Sequence, residues 1–128
     1  MHMMKKHGWW IITLAIIGAF VALLVVQANR PGKYDQFAQC INDSGAEFYG
    51  AWWCPHCQNQ KAIFGRSSRY LPYTECETKT REEFQACIDA EINKTYPTWI
   101  FADGTRSRGE QTLAMLAEKT SCELPVLE

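Results

Sequence analysis

The sequence carries almost no surplus charge: 13 Lys+Arg stand against 14 Asp+Glu, a formal net charge of -1 at pH 7. That balance excludes an electrostatic nucleic-acid binder, and a chain 47% hydrophobic and only 21% charged is not disordered. Internal repeats and low-complexity stretches are absent. The 128 residues leave room for one compact domain and little else, since domains usually hold roughly 100–200 residues. A second C-x-x-C, which would complete a four-cysteine zinc site, is also missing, and two of the three histidines, His2 and His7, precede a long apolar run. Cysteine, by contrast, is plentiful. Six in so short a chain point to disulfides in an oxidising compartment or to a metal site.

Residues 9–26, WWIITLAIIGAFVALLVV, contain no charge and as a helix reach the ~30 Å thickness of a bilayer core. Trp9 and Trp10 stand where interfacial aromatics anchor a span, and Lys5 and Lys6 before them favour a cytoplasmic N-terminus for residues 1–8. The expected arrangement is a single-pass membrane helix with residues 34–128 on the extracytoplasmic side, joined by a linker over 27–33. The alternative is a cleaved secretory signal, with Val26-Gln27-Ala28 as the cleavage site; it exports the same domain.

In the exported part, Tyr34, Phe37, Ala38 and Ile41 recur at helical spacing. Ala46 to Ala51 reads as a strand running into Trp52-Trp53-Cys54-Pro55-His56-Cys57, and a helix is expected from Pro55 to Arg69. Tyr70 to Glu75 reads as a second strand. Thr80-Arg81-Glu82-Glu83 has the form of a capping box opening a helix with Phe84, Cys87, Ile88 and Ile92 on one face. Thr98 to Phe101 and Thr105 to Gly109 are strands joined at Asp103-Gly104, and a last helix carries Leu113, Leu116 and Ala117. This order predicts an α/β fold, a small mixed sheet with parallel crossovers, a terminal hairpin and helices over both faces.

The chemistry centres on Cys54 and Cys57. A C-x-x-C where a strand gives way to a helix sets the first sulfur at the helix N-terminus, where free N–H groups and the helix dipole favour a thiolate. Cys54 is the expected reactive thiol, with His56 beside it to add positive charge or a hydrogen bond. Stabilising the reduced form raises the reduction potential, so Pro55-His56 between the cysteines favours giving a disulfide away. Cys57, one turn further in, would close the ring again. Zinc held by His56, Cys76 and Cys87 with the pair, and a purely structural disulfide, are the alternatives. Tyr96-Pro97-Thr98 is the second element. A cis proline there would expose the backbone of Tyr96 beside Cys54 for strand addition by an extended substrate, with Trp52 and Trp53 as an apolar collar.

These residues resemble the thioredoxin superfamily, and Pro55-His56 is the dipeptide of bacterial periplasmic disulfide oxidants. They are most similar to thioredoxin-like domains that accompany, or are fused to, bacterial and plant homologues of vitamin K epoxide reductase. That likeness rests on Phe48 to Gln58 (FYGAWWCPHCQ), Tyr73, Glu75-Cys76 and Tyr96-Pro97-Thr98-Trp99. It implies oxidation of thiols in exported proteins and transfer of the electrons to an integral-membrane, quinone-reducing partner. It also implies attack at Cys54, resolution by Cys57, a cis Pro97 and substrate contact at Trp53, Tyr96 and Pro97. No cofactor beyond the Cys54/Cys57 redox pair is implied, quinone being reached only through the partner, and the compartment would be a periplasm, a thylakoid lumen or a cell surface. Related domains carry an extra pair like Cys76 and Cys87, expected here as a structural disulfide, with an electron relay as the alternative. Cys40 and Cys122 remain, and their pairing would tie the two ends of the fold. One departure stands out: the buried acid that thioredoxins keep six residues before the first cysteine is Phe48 here, and Glu47 should face the other way. A thioredoxin-style reductant or isomerase is therefore the alternative enzyme, and a non-catalytic metal- or protein-binding module the alternative outside enzymes.

Overall fold

The computed structural model describes residues 2–126, with side chains from Gly8 onward. Met1, Leu127, Glu128 and the side chains of Lys5 and Lys6 therefore lie outside the described residues. Contacts divide the chain into two units, meeting at Pro31 and Gly32. The first is a single helix, α1 (His2–Ala28). Its Gly8–Ala28 stretch of 21 residues has a mean hydropathy of 2.6, long and apolar enough to cross a membrane. Helix persists through Gln27 and Ala28, into the expected linker, because both residues accept helical geometry; Pro31 follows the last turn.

The second unit is a four-stranded mixed sheet flanked by helices, the arrangement expected from the order of elements. Helix α2 (Asp35–Asp43) leads into β1 (Glu47–Gly50), α3 (Pro55–Ala62), a 3-10 turn (Gly65–Tyr70) and β2 (Tyr73–Glu75). Helix α4 (Gln85–Asp89), β3 (Thr98–Ile100), β4 (Arg106–Arg108) and α5 (Leu113–Thr120) complete it. The strand order is β2-β1-β3-β4, with β1 parallel to β2 and antiparallel to β3. Strand alternation divides the core. Phe48, stacked on Trp99 at 4.6 Å, faces the layer of α2, the 3-10 turn and α5, whereas Tyr49 faces Cys76, Cys87 and Ile92 around α4. The β3–β4 hairpin turns at Asp103-Gly104: Gly104 adopts φ +82, and Asp103 Oδ1 accepts the Thr105 N–H at 2.9 Å.

Two expected helices are shorter than their patterns. The helix from Pro55 stops at Ala62 because Gly65 turns left-handed (φ +54), and the chain continues as a 3-10 turn. The capping box at Thr80 does not form. Thr78 Oγ1, not Thr80, collects the N–H groups of Thr80 and Glu82, Arg81 sits at φ 67, and a Glu77–Glu83 bridge closes a loop. Long-range bonds override the local signal there. The Phe84 N–H reaches Cys76 O at 2.8 Å, and Cys87 is bonded to Cys76 with S–S 2.04 Å. The remaining five-residue α4 buries Cys87, while Phe84 and Ile88 stay exposed, against the shared apolar face expected for them. A second disulfide, Cys40–Cys122 (S–S 2.07 Å), joins α2 to the chain just after α5.

Candidate functional site

Strand β1 ends at Gly50, Ala51 is fully buried, and Trp52-Trp53 make the turn that delivers Cys54 to the N-cap of α3. Cys54 has extended backbone geometry (φ -76, ψ 115), and Pro55 begins the helix where its missing N–H costs nothing. The cap is the sulfur itself: Cys54 Sγ accepts the Cys57 N–H at 3.2 Å. Both cysteines are free thiols, and Cys57 Sγ–H points at Cys54 Sγ over 2.6 Å. A disulfide needs about 2.05 Å between the sulfurs, so closing the ring is a small movement.

The two thiols differ in surroundings. Both are buried, Cys54 with 4% exposure and Cys57 with none. Burial, reinforced by the hydrogen bond to Cys54, pushes the Cys57 thiol up to about 12. Gly50 makes room for it: a Cβ there would lie 2.8 Å from Tyr73 Cε2 and 3.0 Å from Cys57 Sγ, closer than either can tolerate.

His56 is turned outward. Its Nδ1 pairs with Glu110 Oε1 at 2.9 Å, the same oxygen that accepts from Asn59 Nδ2 at 3.1 Å, while the hydrogen bonds found at Cys54 Sγ come from Cys57. His56 and Asn59 together hold the Glu110 carboxyl below the usual carboxylate range. With side-chain exposures of 72% and 41%, the pair is a solvent-screened one. Beside it lies a buried clasp. Gln60 Oε1 accepts from the Gln111 N–H (2.6 Å) and from Trp99 Nε1 (3.3 Å), and Gln60 Nε2 donates to Gln111 O (3.0 Å). The preceding Gly109 N–H donates to Pro97 O at 2.8 Å, so one short segment after β4 holds both α3 and the proline loop. Gln60→Ala would leave the Gln111 N–H and the Trp99 indole buried without partners. It is expected to lower stability by about 2–4 kcal/mol, measured by urea unfolding; an unchanged midpoint would show the clasp to be idle.

The other predicted residues converge on the same end of the sheet. The Tyr96–Pro97 peptide is cis; Pro97 is buried and Tyr96 half-buried, its ring packed against both Cys54/Cys57 and the Cys76–Cys87 pair. Trp53 meets Tyr96 edge-on at 6.1 Å and donates Nε1 to Glu77 Oε2 at 2.7 Å; the Tyr96 hydroxyl donates to the other oxygen of this buried carboxylate at 3.3 Å. Burial, with Glu77 beside it, pushes the Tyr96 hydroxyl well above its ordinary value. Trp52 and Trp53 are 39% and 37% exposed, covered in part by Lys79 and Arg81 over their rings. Cys76 and Cys87 are consumed by their mutual bond, which removes them from the metal-site alternative.

Gln60, Glu77, Glu110 and Gln111 were not singled out by sequence reasoning. Gln60 left one readable signal, a polar residue one turn after Cys57 on the face that α3 must bury. The carboxylates left none, because their partners lie up to 54 residues away.

No protein-family model matches the chain. Over 92 residues it is 45% identical to the thiol-disulfide oxidoreductase LTO1 of Arabidopsis thaliana, an alignment taking in 68% of this chain and 24% of that protein. The chain thus spans about a quarter of the relative's length.

Proposed function

We propose that the chain is a membrane-anchored thiol–disulfide oxidoreductase that oxidises thiols of exported proteins through the Cys54/Cys57 pair. The observation that carries this reading is the asymmetry of the pair. Cys54 caps a helix with its sulfur accepting the Cys57 N–H, and Cys57 is completely buried with its thiol pushed up to about 12. The identity to a thiol-disulfide oxidoreductase supports the same chemistry.

A substrate thiolate attacks Cys54 Sγ of the oxidised pair; the Cys54–Cys57 bond breaks, its electron pair goes to Cys57, and a mixed disulfide forms. A second substrate thiolate then attacks the substrate sulfur and releases Cys54 as a thiolate, leaving an oxidised substrate and a reduced pair. Tyr96 and Trp53, beside Cys54, contact the substrate. A quinone-linked membrane protein, such as a homologue of vitamin K epoxide reductase, takes the electrons and restores the disulfide. The apolar helix keeps the pair near that partner at high effective concentration. Lys5 and Lys6 set the helix with residues 1–8 in the cytoplasm.

One observation favours the second reading, a reductant or isomerase: His56 is engaged by Glu110, and the hydrogen bonds found at Cys54 Sγ come from Cys57. A glutathione redox titration of the full chain in detergent separates the two. A potential well above about −200 mV is expected for the oxidant, and a value near −270 mV would assign the chain to reduction.

A further inference from the structure

Each attack at Cys54 releases a thiolate at Cys57, inside the protein, and the acid that thioredoxins keep nearby is absent. Its position belongs to Phe48, stacked between Trp99 (4.6 Å) and the edge of Tyr73 (5.0 Å). The charge generated at Cys57 therefore needs another partner. The ionisable groups around it are Cys54 at the helix cap, Lys61 on α3, Tyr73 and Glu75 on β2, and Tyr96 before β3.

Lys61 follows Cys57 by four residues in α3, so both occupy the same helical face. Its ammonium does not swing out to solvent. Nζ sits 3.3 Å from the centre of the Tyr73 ring, and that ring and Cys57 Sγ share the space left open by Gly50, where an added Cβ would lie 2.8 Å from Tyr73 Cε2 and 3.0 Å from the sulfur. The far end of the ring is fixed as well: the Tyr73 hydroxyl donates to Glu75 Oε2 at 2.8 Å, and Glu75 Oε1 accepts from the N–H groups of Trp52 (3.0 Å) and Glu77 (3.2 Å). Lys61 is thus a half-buried cation laid on an aromatic face beside the buried thiol. Burial pulls its ammonium below its ordinary value, opposed by Glu75 and Cys57.

We propose that Lys61 is a positioning residue whose ammonium, held on the Tyr73 ring, balances the negative charge on Cys57 while Cys54 is engaged in a mixed disulfide. The proposal rests on the thiol–disulfide reading above. In the forward direction the electron pair of the broken Cys54–Cys57 bond resides on Cys57 next to this cation until water supplies a proton. In reverse, the Cys57 thiol loses its proton to water, and the thiolate attacks Cys54 and expels the substrate thiolate. The cation lowers the barrier in both directions without being consumed.

The test is single-turnover release of 2-nitro-5-thiobenzoate from a mixed disulfide on Cys54 of the full chain, followed from pH 6 to 10. Only the Cys57 thiolate attacks, so below its pKa the rate climbs about tenfold per pH unit. Lys61→Gln is expected to move the whole profile about one unit toward alkali, a loss of about tenfold at neutral pH, and Lys61→Arg to restore the rate to within about threefold. In a Cys57→Ala background, Cys54 is expected to be alkylated at the same rate with and without the Lys61→Gln substitution, which a general structural defect would not allow. An unshifted profile in Lys61→Gln, or a Lys61→Arg chain as slow as Lys61→Gln, overturns the proposal while the thiol–disulfide reading stands. Unequal alkylation of Cys54 with and without Lys61→Gln in the Cys57→Ala background overturns it as well. A wild-type chain that releases nothing at any pH overturns both.

Discussion

Cys54→Ala is expected to abolish thiol–disulfide exchange, whereas Cys57→Ala is expected to accumulate covalent adducts with thiol-containing partners. The two sulfurs are 2.6 Å apart, yet only Cys54 has a place at the helix cap and any exposure, 4% against none for Cys57. Without it no sulfur meets the substrate, and the remaining Cys57 is fully buried, a setting that by itself still disfavours its thiolate. Without Cys57 no internal disulfide forms, but the Cys54 thiolate can still attack a disulfide on the substrate and expel its leaving thiolate, and the internal nucleophile that would reopen the resulting mixed disulfide is gone. Non-reducing gels of each variant incubated with an unfolded substrate whose cysteines carry 2-nitro-5-thiobenzoate as leaving group read the difference directly. Adducts of similar yield and lifetime in both would remove the assignment of attack to Cys54 and resolution to Cys57.

The second large effect concerns stability. Cys40–Cys122 closes a separation of 82 residues and Cys76–Cys87 one of only 11. By chain entropy the first is worth about 4.5 kcal/mol and the second about 3 kcal/mol, so the Cys40→Ala/Cys122→Ala chain should unfold at distinctly lower denaturant than the Cys76→Ala/Cys87→Ala chain. The longer bridge also anchors the end of α5 to α2, across the layer that covers Phe48 and Trp99. The shorter bridge holds the loop that presents Glu77 to Trp53 and Tyr96, and both its sulfurs are fully buried. A relay through it would need a thiolate to reach one of those sulfurs. The Cys76→Ala/Cys87→Ala chain, at temperatures where it remains folded, is therefore expected to turn over substrate at an undiminished rate; a large loss of exchange with an intact fold would assign it a place in electron transfer. The reverse order of stabilities in the denaturant series would show that the entropy of the unfolded chain is not what these bridges act on.

The strand-to-helix passage around Cys54, the hairpin at Asp103-Gly104 and the apolar helix over residues 9–26 were legible because their signals are local. A period-two run, a turn dipeptide, a proline at the first helical position and an uncharged stretch each act within a few residues. The region 77–94 was not legible for the opposite reason. Thr80-Arg81-Glu82-Glu83 has the residues of a helix cap, but the Cys76–Cys87 bond and the Phe84 N–H to Cys76 O contact hold the chain in a loop where that helix cannot begin. A cap worth about 1 kcal/mol does not prevail against a covalent bridge and a strand contact.

The sequence by itself determined where the candidate sulfurs stand: two cysteines at a helix start, in a mixed α/β chain led by a membrane-length apolar helix, follow from local pattern alone. Only the tertiary structure decided what surrounds those atoms. His56 faces Glu110 54 residues on, Gln60 grips Gln111 51 residues on, and Lys61 rests on a tyrosine from the neighbouring strand. Such electrostatic surroundings arise from groups that meet only after the sheet has brought β1, β2 and the segment after β4 to one end, and no short-range pattern encodes that meeting.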